Sequence, residues 1–428
     1  MTRRQKFRRY LKWTFWGSVV FTIGFTYYYM ETSIPDQINV VVNEEESFPI
    51  RLPFQTMASS ESETVVLGNG SDIPSDRIRI FQNTPLTICG LKEGSYQVGL
   101  KAFGWLRLKE IRVDVVNHDY AIPCGTPIGI YLKSNGVMVI GTGQITNRDG
   151  MLVEPAFGIL KSGDYIETIN GARLNDKEEL VDAVDHLDGE EAVLQIRRGE
   201  EKLEVKLDPV STEDGDYKLG VWVRSDTQGI GTMTYLDLNG KFGALGHGIS
   251  DSDTGSVVEI ADGNLYETEI LGIEKGTMGK PGVMSGVIYY GPSSTLGTIA
   301  SNTEEGIFGT VNDKFKKKVH SQAVEIAYRQ DVRKGAATLR SGVSGEIKDY
   351  EIEILKVDYS TIHQNKSLVI KVVDEELLNL TGGIVQGMSG SPILQDGKLI
   401  GAVTHVFIQD STKGYGIFIE NMLEAQGR

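Results

Sequence analysis

Cysteine is almost missing from this chain: 428 residues carry only Cys89 and Cys124. A disulfide framework and any multi-cysteine zinc or iron–sulfur site are therefore excluded, and one bridge is the most the sequence allows. Basic residues are also scarce, 43 Lys and Arg against 58 Asp and Glu, and six of them stand in the first twelve residues, where there is no acid. After residue 12 the balance is 37 bases against 58 acids. That is the opposite of a phosphate-facing surface, so nucleic acid is not an expected partner. No H-E-x-x-H spacing and no complete glycine-rich phosphate loop occur, and neither a metal nor a cofactor is expected.

The length asks for two or three domains of about 100–200 residues each, and 50 glycines favour a turn-rich, mainly β architecture. Behind the basic foot, residues 1–12, the stretch 13–30 reads WTFWGSVVFTIGFTYYYM without a charge. As a helix it would span about 27 Å, and Trp and Tyr near its ends suit a lipid interface. A transmembrane anchor with its basic side in the cytosol is expected, leaving the body exported. A cleaved signal peptide is the competing reading, but YYYMETSIP offers no small-x-small cleavage site.

Residues 31–123 alternate with period two, as in YQVGLKAFGWLRLKEIRVDVV, and predict a small β-rich spacer domain. In 124–210, the turn at Gly163 and Asp164, the strand YIETING, an amphipathic helix with Leu180, Val181, Val184 and Leu187, and two final strands follow one another. This order resembles a PDZ domain, an α+β fold. The resemblance places a carboxylate-binding loop at Pro127, Ile128, Gly129 and Ile130, where successive amides would capture a peptide terminus. Pro127 stands where the family has its first glycine and removes one donor. From 211 to 428 short strands and glycine turns predict a sandwich or barrel. VHSQAVEIAY and NMLEAQ are the helix candidates, and FKKKV reads as a solvated basic turn.

Chemistry is concentrated in Gly387-Met388-Ser389-Gly390-Ser391-Pro392. A G-x-S-G-[GS]-P loop, as in chymotrypsin-like hydrolases, puts a serine on a tight turn, with an oxyanion pocket made by the amides of Gly387 and Ser389. A serine needs a base. His118 and His186 fall in the upstream domains, His320 and His363 in polar surroundings, and His405, in AVTHVF, reads as a buried core histidine. His247 remains, between glycines in Gly243-Ala244-Leu245-Gly246-His247-Gly248. The third member of a triad is expected at Asp374, after a predicted strand; that aspartate could equally cap the turn EELLNL, and Asp251 and Asp253 are the alternatives.

The anchor, the PDZ-like block, LGHGISD and TGGIVQGMSGSPILQDGKLIGAVTHVF together resemble the SpoIVB (stage IV sporulation protein B) serine peptidase family of endospore-forming bacteria. The resemblance implies a C-terminal chymotrypsin-like double β-barrel, with Ser389 as nucleophile, His247 as base and Asp374 as the aspartate. It also implies protein substrates: the chain itself, and a regulatory subunit of a membrane metalloprotease complex whose cleavage activates a late sigma factor. The implied location is the inner forespore membrane facing the intermembrane space, with the ectodomain released after self-cleavage. Two rival readings are a non-catalytic PDZ adaptor with a degenerate peptidase domain and a general extracytoplasmic quality-control protease.

Overall fold

The computed structural model describes residues 3–48, 56–60, 65–68, 77–80, 86–359 and 364–427. Its first element is a helix, Arg3–Ser33, along which Trp13, Trp16, Phe21, Phe25 and Tyr28 are exposed. The helix expected over 13–30 forms. However, no helix among the described residues is long and apolar enough to cross a membrane. The stretch lacks charge, but its Thr, Gly, Ser, Trp and Tyr residues contribute little hydropathy.

The spacer is two packed sheets. Gln37–Val41, Leu106–Val116, Gly94–Ala102, Thr56–Ser60 and Arg77–Ile80 form one, and Glu45–Phe48, Leu86–Gly90 and Val65–Gly68 the other. Alternation puts Ile38, Val40, Leu86, Ile88, Val98, Leu100, Ile111 and Val113 on the shared inner faces. This domain docks on the C-terminal part through buried polar groups. Arg329 pairs with Glu420, both nearly inaccessible, and Asn39 Nδ2 donates to Glu420 Oε2 at 3.3 Å. Cys89 and Cys124 are free. They lie in different parts of the chain, Cys89 half-buried on the spacer strand Leu86–Gly90 and Cys124 in the core of the first barrel described below.

Two 16-residue strands, Pro127–Thr142 and Val221–Leu236, run antiparallel and change partners midway. Their outer ends join a unit made from Tyr165–Ile169, Ala192–Arg198, Glu201–Leu207 and the helix Lys177–His186, around Val137, Val139, Ile166, Leu180, Val184 and Leu194. The helix starts where Asp176 accepts from Glu179 N at 2.9 Å while the Glu179 carboxylate accepts from Asn175 N at 2.7 Å, a reciprocal N-terminal cap. The Gly163–Asp164 turn is fixed by a buried Asp164 that receives two 2.7 Å bonds from the Arg198 guanidinium.

The inner ends of the same two strands belong to a barrel. Pro127–Thr142, Val221–Leu236, Lys241–Ala244, Gly306–Val311, Thr295–Thr303 and Ile260–Glu274 pair in that order, and the last pairs back to the first. Ile128, Ile130, Leu132, Met233, Phe242 and Leu265 fill it. The expected boundaries at 124 and 210 are therefore corrected. The PDZ-like unit, roughly 137–223, is inserted between two neighbouring strands of the first barrel.

A second closed barrel follows: Gly335–Ser341, Lys348–Val357, Leu368–Val372, Lys413–Phe418, Lys398–Val406 and Pro392–Gln395, packed around Leu339, Tyr350, Ile352, Ile370, Ile393 and Val403. The mainly β class and the two barrels agree with expectation. Helix placement differs in part. VHSQAVEIAY gives a short strand, Val324–Glu325, while a helix forms at Asp313–Lys318, where Asn312 caps Phe315 N at 3.1 Å. The C-terminal candidate is helical over Ile419–Ala425.

Candidate active site

Ser389 enters the junction of the two barrels on a turn just ahead of the strand Pro392–Gln395. The turn is held from both sides. Within the second barrel Gly390 N donates to Val403 O at 2.7 Å and Ser391 N to Met388 O at 2.9 Å, with Met388 fully buried. From the first barrel Thr232 N donates to Ser389 O at 3.1 Å, and Thr232 Oγ1 donates to Gly387 O at 2.7 Å. Gly390 has φ +94°, and a Cβ there would lie 2.1 Å from Thr232 O, so only glycine lets the serine turn approach the first barrel this closely. Gly387, with φ +102°, places its own amide and that of Ser389 on the same tight turn.

His247 comes from the other barrel, just after the strand Lys241–Ala244. Leu245 and Gly246 both have left-handed backbones, φ 71° and 69°, which turn the chain across the junction. A Cβ on Gly246 would sit 3.1 Å from Thr404 Cγ2. His247 Nδ1 lies 2.8 Å from Gly248 O. Donation from Nδ1 to that carbonyl leaves the proton off Nε2, the tautomer a general base requires. Burial holds the His247 pKa below the ordinary imidazole value, partly offset by the Gly248 carbonyl.

Ser389 and His247 are linked through one dipeptide. Ser389 Oγ donates to Thr404 O at 2.6 Å, and the next residue, His405, stacks its ring on His247 with centroids 4.7 Å apart and planes 33° apart. His405 is therefore not the isolated core histidine that its apolar strand suggested. Its pKa is pushed down to about 4 by burial first, then by His247 and Lys366. His363 lies outside the described residues.

The expected aspartates stand elsewhere. Asp374 caps the helix Glu375–Thr381, accepting from Leu377 N at 2.9 Å and Glu351 N at 3.2 Å. Asp251 and Asp253 both pair with Arg224, and Asp251 also accepts from the amides of Asp253 and Thr254, each at 2.9 Å. Among the described residues no carboxylate hydrogen-bonds to His247. Ser389 Oγ engages Thr404 O and His247 Nδ1 engages Gly248 O, and among the described residues neither a carboxylate nor a direct hydrogen bond joins the two side chains.

Pro127, Ile128, Gly129 and Ile130 do not form a carboxylate-binding loop. Gly129 pairs with Ile230 on one side and with Tyr266 on the other, in the middle of the first barrel. A strand bonded on both edges has no row of amides left to offer a peptide. A groove does exist in the PDZ-like unit. A cavity of about 610 Å³ lies between Leu180, Val181 and Val184 of the helix and Leu219, Gly220, Val221, Trp222 and Val223. Gly220 has φ +69° and opens the strand Val221–Leu236. The signal was in the sequence, as Leu219-Gly220-Val221-Trp222 after a polar turn, but Pro127-Ile128-Gly129-Ile130 stood nearer the expected position.

Residues 215–423 match the family model described as SpoIVB peptidase S55. Among solved structures, the PDZ domain of the SdrC-like protein of Listeria monocytogenes is similar at 19% identity. That match covers 21% of this chain and 87% of the other, with a TM-score of 0.18. No curated protein matches the chain.

Proposed function

The chain belongs to the SpoIVB peptidase S55 family through residues 215–423, a family of serine peptidases, and from that premise we propose that Ser389 and His247 hydrolyse peptide bonds in the chain itself and in a membrane-associated partner. The reading is supported by the junction of the two barrels, where the Ser389 hydroxyl engages Thr404 O and the His247 ring packs on the next residue, His405. His247 Nε2 removes the Ser389 proton, the Oγ attacks the carbonyl carbon, and the Gly387 and Ser389 amides receive the oxyanion. The base then protonates the leaving amine, and water releases the acyl group by the same route in reverse.

The exposed aromatic residues along the Arg3–Ser33 helix support a place at the forespore inner membrane, with the body in the intermembrane space. The groove beside Val181 and Trp222 is suited to an extended segment of the chain or of the partner. The regulatory subunit of a membrane metalloprotease complex is the partner we assign, with activation of a late sigma factor as the consequence. The test is labelling with a serine-directed fluorophosphonate, together with N-terminal sequencing of processed protein. Labelling and self-cleavage that both vanish in Ser389→Ala support the reading. An unlabelled, well-folded wild-type protein leaves a PDZ adaptor, and degradation of generic unfolded substrates indicates a quality-control protease.

A further inference from the structure

The base does not stand alone in the cleft. His247 packs against a second imidazole, His405, at 4.7 Å between centroids, with the ring planes tilted by 33°. Both rings are half-buried. His405 lies on the strand Lys398–Val406 directly after Thr404, whose carbonyl receives the nucleophile's hydroxyl. Two consecutive residues of one strand thus touch both partners of the proton transfer. Offset stacking between neutral rings is favourable, whereas two imidazolium ions in the same place would repel in a poorly solvated site. His405 Nδ1 is buried without a hydrogen-bond partner. A histidine placed only for packing would leave that nitrogen at a cost that a phenyl ring avoids.

We propose that His405 is a positioning residue for peptide hydrolysis, fixing the plane of the His247 imidazole and shielding its face from water so that the base stays neutral and aimed at Ser389. The inference rests on the peptidase reading above. Gly248 O holds the His247 ring through Nδ1, and His405 packs against the same ring. Together they supply what a triad obtains from a carboxylate that hydrogen-bonds the base: one tautomer and one ring orientation. The groups acting on the pair are few. Lys366, from the short helix Gln364–Lys366, faces His405 and also lies 5.6 Å from the Tyr415 ring centroid. Among the described residues no carboxylate hydrogen-bonds to either imidazole. Among the described residues, the charged or chargeable groups that lower the His405 pKa are His247 and Lys366, while burial lowers that of His247 itself.

The test follows the rate of fluorophosphonate labelling of the full chain against pH, with thermal melting of each variant as a control. His405→Ala removes the packed ring and admits water. Its labelling rate at neutral pH should fall by about tenfold to a hundredfold, the range expected for a misaligned catalytic group, and its acid limb should move to higher pH as the base is resolvated. His405→Phe restores a flat ring and should recover most of the rate, with the acid limb close to wild type. Should His405→Ala fail to fold, His405→Phe decides alone. A phenylalanine variant that melts like wild type but labels as poorly as His247→Ala overturns the proposal, as does an alanine variant with the wild-type rate and acid limb. Absence of labelling in the wild type would instead sink the peptidase reading.

Discussion

Ser389 Oγ lies 2.6 Å from the carbonyl oxygen of Thr404, so the hydroxyl rests on the strand that carries His405. That carbonyl belongs to the main chain and persists in any side-chain variant, so Ser389→Ala loses one hydrogen bond, worth about 1 kcal/mol, and keeps the loop bonds made by Gly390 and Ser391. Its melting temperature should stay within a few degrees of wild type while labelling and self-cleavage disappear. His247→Ala should lower the labelling rate by several orders of magnitude. Retained self-cleavage in purified Ser389→Ala protein would remove Ser389 from the mechanism.

Asp374 separates two roles that the sequence could not. As the cap of Glu375–Thr381 it accepts from Leu377 N and Glu351 N, and Asp374→Ala should cost about 0.5–2 kcal/mol of stability. Asp374→Asn keeps an accepting oxygen and should cost less. In both, labelling measured below the melting transition should remain within a few-fold of wild type. A loss near ten-thousand-fold without destabilisation, the signature of a triad aspartate, would return Asp374 to the catalytic set.

That ambiguity marks the limit of sequence reading here. The serine turn was legible because its glycines are demanded by geometry: Gly390 stands where any side chain would strike Thr232 O. The helix 177–186 was legible because its cap and apolar spacing are local. Asp374 was not, since a cap and a triad member use the same residue type. Neither was His405, because stacking on His247 depends on how two barrels meet across 158 positions of sequence. The PDZ-like boundary failed for a related reason. An alternating strand announces that it pairs, but nothing in Pro127–Thr142 says that its two halves pair into different units.

Gly129 and Val181 should now part company. A Cβ on Gly129 would lie 2.6 Å from Ile288 Cγ2, inside packing that cannot yield without moving a strand, so Gly129→Val should destabilise the first barrel and lose labelling and processing together. Val181 is 55% exposed on the helix face that lines the groove. Val181→Asp should shift stability by no more than about 0.5 kcal/mol and leave labelling intact, while slowing cleavage of protein substrates. Equal processing by Val181→Asp and wild type would show that the groove takes no part in substrate handling.

The spacer's docking should weaken as pH rises through neutrality. Glu46, on the strand Glu45–Phe48, faces Asp331 in the short helix Arg329–Asp331 of the peptidase part, and its pKa is raised to about 7 from an ordinary 4.5. Burial is the main cause, followed by the charges of Asp331 and Glu44, against which Lys398 acts. The docked state therefore holds a proton that the separated or unfolded chain has released between pH 4.5 and about 7. By linkage, this contribution is full below pH 4.5 and lost as pH climbs through about 7. Limited proteolysis of the junction and thermal melting should both report a looser spacer at pH 8 than at pH 6. Glu46→Gln, which keeps a donor toward Asp331 without an ionisable carboxyl, should flatten that difference and protect the junction at pH 8. If Glu46→Gln and wild type lose protection in parallel as pH rises, the shared proton does not hold the two parts together.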